Sequence, residues 1–232
     1  MDGRTAEIAI AEARKAFWVM VGFLGIIWLI QIVNALDGYG LSYRFGLRPG
    51  DTDGLLAIVS APFLHFSWAH IEGNSGPLFI FGFLAAYRGV TRFLGVTALI
   101  AVASGLGAWF LASPQTVGAG ASGIVFGYFG YVLLRGAFDR HLIDIVIGLV
   151  MALCFAYQFA GLLPHEGIGW QAHLFGFVGG ILGGWLFRDR TPAVRPPGGG
   201  AGPTRAVSAK QPARPPADSR AALLKELDDL GL

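Results

Sequence analysis

Apolar residues along this chain come in long runs broken by short polar punctuation, and run length carries more information than periodicity. Residues 16–35 form an almost uninterrupted apolar stretch, long enough to cross a bilayer, which takes about 20 apolar residues. A polar segment, residues 1–15, precedes it with Arg4, Arg14 and Lys15. The run exceeds the apolar core of a signal peptide, about 7–15 residues, and further runs follow, so it reads as an uncleaved helix. Residues 54–87 are mostly apolar but too many for one span. Pro62, His65, His70, Glu72 and Asn74 divide them into an interfacial piece near 55–64 and a span over about 67–87. Spans three to six follow at about 93–112, 118–134, 142–163 and 168–187. The pattern predicts an all-α polytopic membrane protein, a six-helix bundle over residues 16–188.

Charge orients the bundle. Arg4, Arg14 and Lys15, Arg88 and Arg92, Arg135 and Arg140, and Arg188 and Arg190 fall on one side of a six-span chain. The turns near 113–117 and 164–167 carry no Lys or Arg, and the first loop sets Arg44 and Arg48 against Asp37, Asp51 and Asp53. Basic residues collect on the cytoplasmic side. Both termini are therefore expected in the cytoplasm, in what reads as a bacterial cytoplasmic membrane. Residues 189–217 are rich in Pro, Gly and Ala without hydrophobic periodicity, which predicts a flexible linker. Over 218–232, Leu223, Leu224, Leu227 and Leu230 fall at helical spacing after a capping Asp218 or Ser219, which predicts a short amphipathic helix. That helix is a candidate contact for a cytoplasmic partner.

Composition agrees with the pattern. Of 232 residues, 54% are hydrophobic and 14% charged, against about 25% charged in soluble domains; mean hydropathy is +0.58. A net charge of +2 gives no basic surface for nucleic acid, and the single cysteine, Cys154, can form no internal disulfide.

The chemistry lies in the polar residues that interrupt the spans. No charged residue occurs between Arg92 and Arg135, yet Ser122 stands there among glycines and alanines, about four residues inside the outer end of span four. His173 is about five residues inside the outer end of span six. His70 and Asn74 are one helical turn apart near the outer end of span two. At 1.5 Å rise per residue, Ser122 and His173 are expected at one level, roughly 6–8 Å below the outer edge. Polar side chains within spans usually face the bundle interior or a water-filled cavity. A serine hydroxyl beside a neutral histidine can attack a carbonyl, and the oxyanion that forms needs fixed donors. The Ser122 main-chain N–H, His70 and Asn74 are the candidates. Gly123-x3-Gly127 and Gly176-x3-Gly180-x3-Gly184 have the small-residue spacing that brings spans four and six close together. Phe126, one turn after Ser122, can stack against His173.

A metal site built from His65, His70 and His173 is the first rival reading. It lacks a His-Glu-x-x-His pair, and Glu72 points away from His70 on a helix. His141 and His165 read as surface residues at the two ends. A transporter would be expected to show internal repeats or further buried charges along a pathway, and the sequence has neither.

Gly120-Ala121-Ser122-Gly123, His65-x4-His70-x3-Asn74 and Ala172-His173 with Gly176 and Gly180 resemble the three motifs of the rhomboid intramembrane serine proteases, in the family's order. The resemblance covers about residues 16–188. It implies a Ser122–His173 catalytic dyad without an acidic third member, with His70 and Asn74 lining the oxyanion site. It also implies supporting roles for His65, Gly120, Gly123 and Phe126. Family members cleave transmembrane proteins in or next to a membrane segment, need no metal or cofactor, and contact lipid. Their substrate is thought to approach near helices two and five, for which Phe155 and Phe159 are candidates. Two departures stand out: Phe126 occupies a position where the family often has tyrosine, and Tyr43-Arg44 stands where a Trp-Arg pair is common. The alternative is a non-catalytic rhomboid-like protein that binds transmembrane clients.

Overall fold

The computed structural model describes residues 3–165 and 167–189, and most of them are helical. Eight α-helices run α1 Gly3–Leu36, α2 Gly40–Phe45, α3 Ala57–Ser60, α4 Trp68–Ala86, α5 Val90–Leu111, α6 Ser122–Asp139, α7 Leu142–Cys154 and α8 Trp170–Leu186. Two 3-10 segments, Ala61–Phe63 and Ala156–Leu162, continue α3 and α7. There is no β-strand among the described residues, only one antiparallel bridge between Leu47 and Gly118. The expected linker and tail helix, Asp189 apart, fall outside the described residues.

Among the described residues two helices, α1 and α5, have the length and composition of a membrane span, and α7 with its 3-10 continuation adds a third if that pair is one span. α1 begins at Gly3, well before the apolar run. Residues 3–15 are rich in Ala, Ile, Glu, Arg and Lys, which extend a helix readily, and Lys15 pairs with Glu12 one turn back. The expected fifth span is not one helix: its two parts meet at 74°.

α6 is the centre of the bundle. Ile124, Val125, Tyr128, Phe129 and Tyr131 on it are each at most 2% exposed, because α4, α5, α7 and α8 pack around it. Its approach to α8 depends on glycine. A Cβ at Gly176 would sit 2.2 Å from the Gly123 carbonyl oxygen, and one at Gly180 only 1.7 Å from that of Gly127. The spacing read from the sequence thus brings the two backbones together. α7 is covered on one side only, leaving Leu142, Ile143, Val146, Leu149 and Leu153 exposed, as apolar side chains facing lipid would be.

Candidate active site

Ser122 is the first residue of α6, not the fourth or fifth of a helix from 118. The residues before it are drawn out of helical geometry by contacts with the first loop. Leu47 and Gly118 exchange main-chain hydrogen bonds of 2.7 and 2.8 Å, the Gly120 N–H donates to the Ala61 carbonyl at 2.9 Å, and the Ala121 N–H donates to His65 Nε2 at 3.3 Å. Gly120 has φ +129°, a conformation open mainly to glycine. A Cβ there would also lie 2.7 Å from His70 Nε2 and 3.8 Å from Asn74 Nδ2. The glycine therefore lets the turn before Ser122 lie directly against those two side chains.

His173 comes from the first turn of α8 and is 8% exposed. Its Nε2 lies 2.9 Å from Ser122 Oγ, and its Nδ1 lies 2.9 Å from the Gly161 carbonyl oxygen in the 3-10 segment after α7. Phe126 stacks on the imidazole, rings 4.2 Å apart and 11° from parallel. The departure from tyrosine at 126 keeps the stack and drops only a hydroxyl.

His70 and Asn74 share one face of α4, whose first turn is capped by Ser67 Oγ accepting from the His70 N–H at 3.1 Å. Asn74 Nδ2 is buried and has no hydrogen-bond partner among the described residues, and an amide N–H there can donate to an acceptor that enters the cavity. His70, Asn74, Gly120, Ser122, Phe126 and His173 all line one cavity of about 1050 Å3. Glu72 is exposed, and His141 pairs with Asp144 (3.0 Å) away from this cavity.

His65 plays a different part. It is fully buried in the connection before α4. Burial, and secondarily the neighbouring His70, push its pKa down to about 3, so the ring is neutral and can accept the Ala121 N–H. Its carbonyl accepts from Asn34 Nδ2 at 2.8 Å and Ser42 Oγ at 3.1 Å. Buried Asn34, Ser42 and His65 thus bind α1 and α2 to the loop that holds residues 118–121. Sequence reasoning missed Asn34 and Ser42, whose shared partner is the His65 main-chain carbonyl. It also missed the Gly161 carbonyl, which no side chain announces.

The rhomboid domain model matches residues 52–190. An uncharacterised protein of Mycobacterium tuberculosis is 34% identical over 198 residues, covering 79% of this chain and 82% of that protein. One from Mycobacterium leprae is 31% identical over 187 residues, covering 75% and 74%. The rhomboid protease GlpG of Haemophilus influenzae is 23% identical over 180 residues, covering 76% and 93%. On the domain match and the extent of these similarities, the chain belongs to the rhomboid family, a family of intramembrane serine proteases.

Proposed function

We propose that this protein is a serine endopeptidase that hydrolyses peptide bonds in or next to transmembrane segments of other membrane proteins, with Ser122 and His173 as its dyad. The observation that carries the reading is the 2.9 Å approach of His173 Nε2 to Ser122 Oγ, inside a cavity that also holds the unpartnered Asn74 amide. Ser122 Oγ attacks the scissile carbonyl carbon as its proton passes to His173 Nε2. The resulting oxyanion takes hydrogen bonds from Asn74 Nδ2, His70 and the Ser122 main-chain N–H. That N–H is one of the helix-terminal donors an α-helix leaves unused, at its partially positive end. Collapse of the tetrahedral intermediate breaks the C–N bond, with His173 returning the proton to the leaving amine. Water then repeats the sequence on the acyl-enzyme and frees Ser122.

In this reading α1, α4, α5, α6, α7 with its 3-10 continuation, and α8 are the six spans of a protease domain at 16–188. Residues 1–15 are a cytoplasmic segment, 189–217 a linker and 218–232 a tail helix open to a cytoplasmic partner. Supporting this topology, Arg88, Arg92, Arg135, Asp139, Asp144 and Asp189 meet at the end of the bundle opposite the cavity. Basic residues collect on the cytoplasmic side, which supports a cytoplasmic position for that end and a cavity that opens to the outer face.

The test is cleavage of labelled transmembrane substrates by purified protein in detergent. Wild type is expected to cleave, and Ser122→Ala and His173→Ala to leave no activity. Cleavage that survives Ser122→Ala would sink the dyad; failure of wild type across a broad panel would favour a non-catalytic client binder.

A further inference from the structure

A dyad histidine needs its distal nitrogen held, and among the described residues no carboxylate does so. We propose that the Gly161 main-chain carbonyl is the positioning group that sets the tautomer and orientation of His173. The inference rests on the Ser122–His173 reading above.

A carbonyl oxygen can only accept a hydrogen bond. The 2.9 Å contact between His173 Nδ1 and the Gly161 oxygen therefore puts the ring proton on Nδ1. In a neutral imidazole this leaves Nε2 bare, and Nε2 is the atom 2.9 Å from Ser122 Oγ. The main chain thereby selects the one neutral form able to take the serine proton. When Nε2 gains that proton, the Nδ1–H bond to Gly161 becomes charge-assisted and stronger. The base is stabilised at the step where it becomes charged.

The acceptor is built into the fold. The 74° break after α7 turns the 3-10 segment Ala156–Leu162 from the line of the helix. Phe155 anchors the start of that turn against Phe81 of α4, rings 4.8 Å apart, and Phe159 contacts Phe129 of α6 at 5.2 Å. Glycine is needed at 161 because a Cβ there would lie 2.6 Å from Phe126 Cζ, on the ring that stacks over His173. Acceptor, stacking ring and base therefore form one packed set, and the orientation of His173 depends on the segment that closes span five.

The direct test exchanges the Gly161–Leu162 amide for an ester, by placing the α-hydroxy analogue of leucine at position 162 of the full-length chain. This weakens the Gly161 carbonyl as an acceptor and changes no side chain. The control is the same exchange at Leu163, which deletes the Leu163 N–H bond to the Ala160 carbonyl (3.2 Å) but leaves the Gly161 carbonyl an amide. The tautomer of His173 is read by 15N chemical shifts, assigned by the signal lost in His173→Ala, and kcat and KM are measured alongside. Wild type is expected in the Nδ1–H form. The 162 ester should move it toward a mixture and lower kcat about fivefold with KM unchanged, the size expected when a hydrogen bond that becomes charge-assisted in the transition state is weakened but not removed. The 163 ester should alter neither.

An Nε2–H tautomer in wild type would overturn the proposal, with no variant needed. So would an unchanged tautomer and kcat in the 162 ester, or equal losses in both esters, which would mean the segment matters only as packing. Because the tautomer is read without substrate, an inactive wild type would defeat the protease reading separately from this one.

Discussion

In the proposed reaction the oxyanion donors are fixed before substrate arrives, and Asn74 illustrates why. Its Nδ2 is buried, lines the cavity and has no partner among the described residues, so it can donate to an oxyanion without first leaving a protein acceptor. Asn74→Ala is therefore expected to lower kcat about 100-fold, the usual cost of one oxyanion donor, while the thermal midpoint in detergent stays the same or rises. A fall in the midpoint with kcat preserved would make Asn74 structural. Phe126→Leu removes the ring stacked on His173; kcat should fall about fivefold, and Phe126→Tyr should restore it. The polar residues of the site were legible in the sequence because each is an anomaly in an apolar run. Asn34 and Ser42 were not, since their role exists only through the His65 carbonyl, a main-chain group without a sequence signature.

At the scale of elements, the fold turns on how closely α6 and α8 approach. Gly180→Ala would drive a methyl into the Gly127 carbonyl, and Gly176→Ala into that of Gly123. Each should cost about 3 kcal/mol, at the upper end of ordinary overpacking. Gly25→Ala, with nothing within 4 Å of its Cβ, should be neutral or stabilising by up to about 1 kcal/mol. Thermal midpoints of the three variants check the contrast; equal midpoints would mean that the two backbones are not in contact. Run length and glycine spacing made this packing readable. The true start of α6 and the break after Cys154 were not, because both are imposed by partners distant in sequence. Gly118 is held out of helix by Leu47, and Phe155 packs on Phe81.

Across the whole molecule, the end opposite the cavity is closed by a partly buried ion network. Asp144 accepts from Arg88 and from Arg135 at 2.7 Å, Asp139 lies 3.6 Å from Arg135, and Arg92 pairs with Asp189 at 2.5 Å. These contacts join the ends of α4, α5, α6, α7 and α8. Breaking a buried pair leaves charge without a partner, so Asp144→Asn should destabilise by about 3 kcal/mol. Arg44→Ala, which removes the exposed pair with Asp37, should cost under about 1 kcal/mol. Similar losses from the two would contradict the burial assigned to Asp144. The same charges had already suggested the orientation of the bundle from sequence; what only the structure supplies is that they pair with one another.

The central claim is that Ser122 is a nucleophile activated by His173. It is tested most directly by treating the protein with a fluorophosphonate probe and locating the adduct by mass spectrometry. A single adduct on Ser122, lost in His173→Ala while that variant stays folded, is the predicted result. An adduct elsewhere, or labelling of Ser122 that persists undiminished without His173, would contradict it.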